Sequence, residues 1–379
     1  MKILIAPDSF KESLSAKQVA ECIERGFREV FPTANYLQVP LADGGEGTVD
    51  VLLEGLNGTI QRSQVTGPYG ERVTAQWALL DHGNTALIEI AAASGLDLVE
   101  ANQRNPKVAT TFGTGELIKQ ALDAGVSKII LGLGGSATND GGAGIFQALG
   151  GKLLDAQGEP LALGGAALKQ LAKIDNSGLH PRCATTEMIL ACDVDNPLIG
   201  EQGASFIFGQ QKGADTQTIV QLDEALKHFA DVTQANGGTS YHHQTSYGAA
   251  GGAPLGLSLA FPVTIKPGIE MVLDTLNMDA QLADVDLVIT GEGQMDNQTI
   301  QGKTPYGIAK RAKARGIPVI GIAGSLGTQV EALYPHMNAV FATIRSPQAL
   351  PQVLSEAQMN LVRNARNIAA VIQVGMGFK

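Results

Sequence analysis

The sequence of 379 residues is poor in cysteine, with only Cys22, Cys183 and Cys192. Three widely spaced cysteines give neither a disulfide framework nor the paired spacing of a zinc site. No apolar run approaches the ~18 residues that cross a bilayer, and the opening stretch MKILIAPDS has too few apolar residues for the core of a secretory leader. These absences predict a soluble protein of the reducing cytoplasm.

The sequence patterns of common hydrolases are absent as well. The six histidines belong to no Ser–His–Asp or H-x-x-x-H arrangement, and the chain has no G-x-S-x-G elbow. Triad hydrolysis and zinc catalysis are therefore disfavoured. Positive charge is also scarce. The net charge of −10 argues against nucleic acid or an anionic membrane as a partner.

Apolar residues are plentiful, in contrast. They make up 44% of the chain, enough to bury substantial cores, and the length favours two domains. Near the C-terminus, strands predicted over 285–290, 317–324 and 338–344 alternate with helices, and strands over 2–6 and 36–42 flank a helix at the start of the chain. This order predicts right-handed crossovers and a parallel sheet covered on both faces. The helices that carry the pattern are predicted over 16–30, 46–56, 305–315, 327–334 and 351–372.

We therefore predict an α/β protein with a discontinuous, Rossmann-like, doubly wound parallel-sheet domain formed by 1–88 and 286–379. A second α/β domain, richer in glycine and alanine, is inserted over 89–285. A β-hairpin is expected within 59–90, around the turn DHGN. Because open parallel sheets bind ligands outside the carboxyl ends of their strands, the active site is expected in the cleft between the two domains.

A glycine-rich loop, LGLGGSATNDGGAG (131–144), follows one of the predicted strands. Glycines let backbone N–H groups approach a phosphate closely. The loop also matches the dinucleotide fingerprint G-x-G-x-x-A, although its second group of glycines would break the helix that this fingerprint requires. A plain turn is the third interpretation. The candidate nucleotide-binding residues are Gly132, Gly134, Gly135, Ser136 and Thr138, with Asp140 as a candidate magnesium ligand.

Carboxylates follow two other strands. Asp193 and Asp195 come directly after the strand EMILAC, and their spacing in extended backbone places both on one side. Glu292 and Asp296 follow the strand VDLVIT. Such pairs can hold a metal ion or accept a proton, whereas the ordinary alternative is helix capping or turn formation.

Positive charge accompanies some of these acids. Lys303 lies in NQTIQGKT (297–304), which has asparagine in place of the first glycine of a P-loop. We expect Thr304 to cap a helix whose first residue is Pro305, with Lys303 available for a phosphate or carboxylate. Lys11 follows Asp8 and Ser9 after the first strand, and Asp43 and Glu46 follow the second.

Five blocks, IAPDSFKESLSA, PLADGGEGT, GLGGSATNDGGAG, CDVDNPL and GEGQMDNQTIQGKTPYGIA, resemble those of the type 1 glycerate kinases and occur in the same order over the whole chain. The resemblance implies ATP-dependent phosphorylation of D-glycerate with Mg²⁺. It also implies a Rossmann-like domain and a second domain with a cleft between them. For bacterial members of that family the expected product is 2-phosphoglycerate.

The chemistry of phosphoryl transfer suggests roles for these residues. The catalytic candidates are Asp193, which we expect to accept the hydroxyl proton, and Lys11, which we expect to bind the carboxylate or a phosphate. The remaining substrate-binding candidates are Asp8, Ser9 and Lys303. The magnesium candidates are Asp195, Asp296, Glu292 and Asp140.

Two other functions remain open at this stage. An NAD-dependent hydroxy-acid dehydrogenase would use the same fold and the dinucleotide fingerprint. A non-catalytic sugar-acid-binding protein would use the cleft without the paired acids. The sequence leaves open whether the protein is a monomer or a homodimer.

Overall fold

The computed structural model of the chain describes residues 1–44 and 47–377, so Glu46 lies outside the described residues. Its strands are β1 (Lys2–Ile5), β2 (Asn35–Gln38), β3 (Thr59–Thr66), β4 (Arg72–Leu80), β5 (Thr85–Glu89), β6 (Lys128–Gly132), β7 (Lys152–Leu154), β8 (Lys173–Asp175), β9 (Glu187–Ala191), β10 (Val263–Lys266), β11 (Leu287–Met295), β12 (Val319–Leu326) and β13 (Ala339–Ala342). Its α-helices are α1 (Ala16–Arg28), α2 (Thr48–Gly55), α3 (Ala91–Ser94), α4 (Phe112–Asp123), α5 (Ala143–Ala148), α6 (Ala204–Phe208), α7 (Thr216–Ala235), α8 (Ala253–Ala260), α9 (Gly268–Thr275), α10 (Met278–Gln281), α11 (Thr304–Ala314), α12 (Leu350–Ser355) and α13 (Ala357–Met376).

The chain forms two compact units, the first made of Met1–Gly55 and Pro267–Lys379 and the second of Leu56–Lys266. These boundaries differ from those predicted at 88/89 and 285/286. The reason lies in strand pairing: β3, β4 and β5 form a continuous antiparallel ladder, and β5 then pairs with β6. The predicted hairpin is present, but it belongs to the second unit. Helix α9 packs on α2 and α11 and so belongs to the first unit.

The first unit contains a five-stranded sheet, ordered β13-β12-β11-β1-β2, in which every pair is parallel. Ile3 and Ile5 of β1 pack into one apolar core with α1 and α13. Leu4 between them is also fully buried. Because successive side chains of a strand point to opposite faces, both faces of this sheet are covered, as predicted for a doubly wound fold.

At the N-terminal end of this unit, the helices agree closely with those predicted from the sequence. Ser15 caps α1, with its side chain and that of Gln18 forming a reciprocal capping box. The helix predicted over 351–372 is interrupted instead: α12 ends at Ser355, and α13 begins at Ala357. The stretch predicted as a helix over 327–334 contains one 3₁₀ turn, Val330–Leu333.

The second unit contains a six-stranded sheet, ordered β10-β9-β6-β5-β4-β3. Strands β5, β6, β9 and β10 are parallel neighbours, and the antiparallel strands β4 and β3 extend the sheet on one side. A large apolar core holds α4, α5, α7 and α8 against it. The predicted α/β class is thus confirmed in both units. Across 1–44 and 47–377, none of the helices has the length and apolar character that crossing a bilayer demands.

Candidate functional site

The first unit changes its direction of winding between β1 and β11. From β1 the chain adds β2 on one side, whereas β11, β12 and β13 extend in sequence on the other side. Such a switch point opens a crevice at the carboxyl ends of the two central strands, and ligands bind there in open α/β sheets. Asp8 follows β1, and its N–H donates to the carbonyl of Gly291 in β11 at 2.8 Å. Asp8 and Glu292 therefore lie at the switch point, although Glu292 lies within β11, which extends to Met295, and does not follow the strand as predicted.

Asp8 is held in place by two short hydrogen bonds. The Thr304 hydroxyl donates to Asp8 Oδ2 at 2.6 Å, and the Ser9 N–H donates to Oδ1 at 2.6 Å. Burial raises the pKa of Asp8, the two hydrogen bonds oppose that change, and the nearby carboxylate of Asp43 adds to it. Thr304 was predicted to cap α11, but Lys303 occupies the cap position and the Thr304 hydroxyl binds Asp8 instead.

Glu292 has a more strongly altered ionisation. The residue is only 8% exposed, Oε1 accepts a hydrogen bond from the Thr299 hydroxyl at 2.7 Å, and Oε2 lies 3.7 Å from Lys303 Nζ. Burial raises the pKa of Glu292 to about 7, against the opposing effects of Thr299 and Lys303. The neighbouring charges of Asp8 and Asp296 raise this pKa further. Glu292 therefore changes its charge near neutral pH.

Asp296 is more accessible and remains ionised. Its carboxylate accepts hydrogen bonds from Gln294 Nε2 at 3.0 Å and from the Gln298 N–H at 2.8 Å. The hydrogen bond from Gln294 is the main reason that its pKa is lowered, although partial burial opposes the effect. Sequence analysis identified Lys303, Glu292 and Asp296, but it missed Thr299 as the buried partner that positions Glu292.

A cleft of about 680 Å³ opens beside Asp8 in the first unit. Ser9 and Lys11 line it from the loop after β1, and Asp50 and Glu54 line it from α2. The volume lies within the range of ordinary small-molecule sites. Lys11 is exposed on this cleft, so it can meet an anionic ligand there. The predicted residues Asp8, Ser9 and Lys11 thus share one cavity, whereas Lys303 lies beside Glu292 and does not line it.

The second unit gathers its candidates at the carboxyl ends of its parallel strands. Gly132, the last residue of β6, pairs with Glu89 of β5 on one side and Ala191 of β9 on the other. Ala191 in turn pairs with Lys266 at the end of β10. The glycine-rich loop and the segment that carries Asp193 and Asp195 therefore leave neighbouring strands. Glu89 and Lys266 end strands at the same edge, and sequence analysis did not single them out.

The glycine-rich loop has an exposed part and a buried part. Gly134 and Gly135 are exposed, whereas Ser136 and the residues after it are buried. The N–H groups of Gly134, Gly135 and Ser136 donate to no backbone carbonyl in the described part of the chain. Gly135 has a φ of +73°, in the left-handed region, and successive N–H groups in such a turn form a concave anion-binding surface. This segment, Gly134–Ser136, has the geometry expected of a phosphate cradle.

The buried part of the loop has a different task. Asp140 is fully buried and accepts hydrogen bonds from Thr111 N–H (2.8 Å), Thr111 Oγ1 (2.9 Å), Gly142 N–H (3.1 Å) and Gly144 N–H (3.2 Å). Burial raises the pKa of Asp140, and these hydrogen bonds oppose it. Both oxygens are thus committed to holding the loop, which corrects the expectation that Asp140 binds magnesium. Thr138 is likewise fully buried, so the structure does not place its side chain where a nucleotide would reach it.

The glycines of this part serve close packing between helices. A Cβ on Gly142 would lie 2.5 Å from the carbonyl oxygen of Ala253, and a Cβ on Gly256 would lie 2.3 Å from the carbonyl oxygen of Gly142. Helix α5 begins only at Ala143, with ten residues between it and the end of β6 at Gly132. The dinucleotide fingerprint requires a helix that starts directly in the glycine turn, so this loop does not fit it.

Within the described residues, no group of three or more His, Cys, Asp or Glu side chains converges on one point. Magnesium does not need such a cage, since it is commonly held by one or two carboxylates together with substrate phosphates and water. Asp195 offers an exposed carboxylate. In the first unit, the negative charges of Asp8 and Asp296 disfavour ionisation of Glu292, an effect that a divalent cation would relieve. The available oxygen donors therefore fit Mg²⁺.

The fold and the polar residues at the strand ends are those of an α/β protein that binds a small molecule at its sheet edges. Comparison with known proteins narrows this class. The model of the glycerate kinase family matches residues 3–373, and the chain belongs to that family.

Its relatives include glycerate kinase of Bacillus subtilis (strain 168), 51% identical over 375 residues, which covers 99% of this chain and 98% of the relative. Glycerate 2-kinase of Escherichia coli (strain K12) is 51% identical over 377 residues, covering 99% of both chains. A crystal structure described as that of a glycerate kinase 2 from Salmonella typhimurium LT2 matches with a TM-score of 0.89 and 51% identity, over 100% of this chain and 99% of that one.

Proposed function

We propose that this protein transfers the terminal phosphoryl group of ATP to the 2-hydroxyl of D-glycerate, giving ADP and 2-phosphoglycerate, with Mg²⁺ as cofactor. The main support is the full-length similarity to a glycerate 2-kinase, at 51% identity over 99% of both chains. The carboxylates and lysines at the strand ends provide the charge and proton acceptors that phosphoryl transfer needs. The dehydrogenase alternative loses its support because the loop does not fit the dinucleotide fingerprint.

In the first unit, we propose that the residues around the cleft bind glycerate. Lys11 and Lys303 supply positive charge for its carboxylate, and Ser9 and Asp8 offer hydrogen bonds to its hydroxyls. Asp8 is held by Thr304 and by the Ser9 N–H, so its position is fixed before substrate arrives. Such preorganisation lowers the entropy cost of aligning a small, flexible substrate.

In the second unit, we propose that Gly134, Gly135 and Ser136 bind phosphate oxygens of ATP through their N–H groups, with Gly132 at the end of β6, where the loop begins. Asp193 accepts the proton of the attacking hydroxyl as the new P–O bond forms and the bond to the departing ADP breaks. Asp195 is the proposed magnesium ligand of this unit, and Asp296 is the candidate that the first unit offers. When bound, Mg²⁺ neutralises charge on the phosphates.

Incubation with Mg-ATP and D-glycerate should yield ADP and 2-phosphoglycerate in equal amounts. Phosphorus NMR of the mixture distinguishes this product from 3-phosphoglycerate, and excess EDTA should stop turnover because the metal is removed. A reaction with L-glycerate serves as the stereochemical control. Formation of the 3-phosphate, or ATP binding without any ADP release, would contradict the proposal, and undiminished turnover in EDTA would contradict the role of the metal.

Gly134→Val should weaken ATP binding while leaving the fold intact. A Cβ at Gly134 meets no atom within 4 Å, and the residue has no left-handed φ, so the valine costs little stability but blocks close approach of a phosphate. Gly135→Ala is the comparison, because the left-handed φ of Gly135 should cost ~1 kcal/mol of stability with a smaller steric block. ATP titration and thermal melting measure both effects. Unchanged ATP affinity in a folded Gly134→Val protein would refute the cradle.

A further inference from the structure

Lys212 is buried beneath the phosphate cradle of the second unit. It ends the 3₁₀ turn Gln210–Lys212 and is only 2% exposed, although its neighbours Gln210 and Gln211 are exposed. Gly213 ends the turn with a φ of +93°, and a Cβ there would lie 2.4 Å from the carbonyl oxygen of Arg104. The tight turn therefore directs the lysine inward. A lysine is almost never fully buried unless its charge is paired.

The ammonium group contacts the glycine-rich loop at two points. Lys212 Nζ donates to Ser136 Oγ at 3.0 Å and to the carbonyl oxygen of Thr138 at 2.7 Å. Ser136 is the last residue of the cradle, so the lysine contacts the cradle segment itself, next to the exposed Gly134 and Gly135. Sequence analysis missed this residue because GQQKGAD matches no phosphate-binding motif.

Lys212 has no ion pair with any described carboxylate. The negative charge of Asp140 acts on Lys212, but both carboxylate oxygens of Asp140 accept hydrogen bonds from Thr111, Gly142 and Gly144. Arg104 donates to the carbonyl of Gln211, and Asp215 caps α7 beyond the turn. The positive charge is thus incompletely compensated, and it contacts the segment whose three N–H groups donate to no described backbone carbonyl.

From this arrangement we infer that Lys212 is a positioning residue for nucleotide binding: it holds Ser136 in the cradle and supplies a buried positive charge behind the bound phosphate. The inference rests on the proposed function, because the cradle is assigned to ATP there. The ligand that Lys212 and the cradle recognise together is the phosphate chain of a nucleotide.

The charge on Lys212 should respond to the ligand. Burial lowers the pKa of Lys212 to about 7, and Asp140 opposes the effect only partly. A phosphate bound on the cradle favours the charged form and so raises this pKa. Between these two pKa values, nucleotide binding should be accompanied by proton uptake at Lys212.

Calorimetric titration of the whole protein with Mg-ADP at pH 8, in two buffers of different ionisation enthalpy, measures that uptake. We expect wild-type protein to take up close to one proton per ADP, since a group with a pKa of about 7 is mostly neutral at pH 8. Lys212→Met keeps the volume and removes the charge. It should abolish proton uptake and weaken ADP binding by about tenfold to a hundredfold.

Two comparisons separate this role from simple structural support. Ser136→Ala removes one contact of Lys212 but keeps its charge, so proton uptake should persist. Titration with D-glycerate alone can involve proton uptake at Glu292, whose pKa is about 7, so it is compared between wild type and Lys212→Met and should give the same uptake in both. Glycerate-linked uptake that Lys212→Met abolishes would assign the charge to the carboxylate and overturn the inference.

The outcome is decided even if Lys212→Met does not fold. Wild-type binding of Mg-ADP without proton uptake would overturn the inference, as would unchanged ADP affinity in a folded Lys212→Met protein. Neither result depends on the phosphate acceptor, which the NMR experiment tests separately.

Discussion

Asp193→Asn is expected to lower turnover by roughly 10²–10⁴-fold while leaving ATP affinity nearly unchanged, because the amide keeps the shape of the side chain but cannot accept the hydroxyl proton. Asp193 is exposed two residues beyond the end of β9, so the exchange should not disturb the core. Steady-state kinetics with saturating ATP and glycerate, together with direct measurement of ATP binding, provide the test.

Asp195→Asn is the matched control, since Asp195 is also exposed and lies two residues further along. If Asp195 helps to hold magnesium, this variant should need more Mg²⁺ for half-maximal rate and recover most of its turnover at saturating Mg²⁺. The two variants thus separate proton transfer from metal binding. Near-normal turnover in a folded Asp193→Asn protein would show that the proton goes to another group.

Glu292→Gln is expected to stabilise the protein above pH 7. The folded-state pKa of Glu292 is about 7, above the ordinary value of 4.5. Ionisation of this buried carboxyl is therefore unfavourable in the folded state. The stability that the protein has with the carboxyl neutral is fully present below pH 4.5 and is lost as pH rises through 7. The shift corresponds to on the order of 3 kcal/mol at pH 8. Glutamine removes this cost and can still accept the Thr299 hydrogen bond. Chemical denaturation in EDTA, repeated from pH 4 to 8, measures the difference.

Asp296→Asn should show the opposite sign. The pKa of Asp296 is lowered in the folded state, so its contribution is present at neutral pH and is lost as pH falls. The asparagine variant should therefore be slightly less stable than wild type at pH 8.

A Glu292→Gln protein that is no more stable than wild type at pH 8 would contradict the prediction, because it would mean that ionisation of Glu292 does not destabilise the folded protein.

A stabilising Glu292→Gln exchange would also indicate why the acid is kept. Buried ionisable groups that reduce stability tend to persist where function needs them. Glu292 lies 3.7 Å from Lys303, so we expect the variant to bind glycerate more weakly because Lys303 loses an anchoring charge. A parallel measurement of KM for glycerate at pH 8 connects the stability effect to the site.

The sequence alone determined the α/β class and the family. Strand and helix patterns are local, so β1, α1, α11 and the hairpin of β4 and β5 could be predicted from short stretches. The five sequence blocks that carry the family resemblance span the whole chain, and their order can be read without knowledge of the fold. The loops that carry Asp8, Asp193 and the glycine-rich segment were likewise identified because each directly follows a recognisable strand.

Only the tertiary structure decided which residues of these loops are exposed and which hold the loops in place. Thr304 binds Asp8 from 296 residues away, and Lys212 reaches Ser136 across 76 residues, contacts that no local pattern encodes. The same applies to the glycine-rich loop, where the sequence shows glycines throughout but burial separates an exposed cradle from a buried anchor around Asp140. Strand pairing moved the domain boundary to residue 55, because the partner of a strand is set by sheet topology rather than by the strand's own residues.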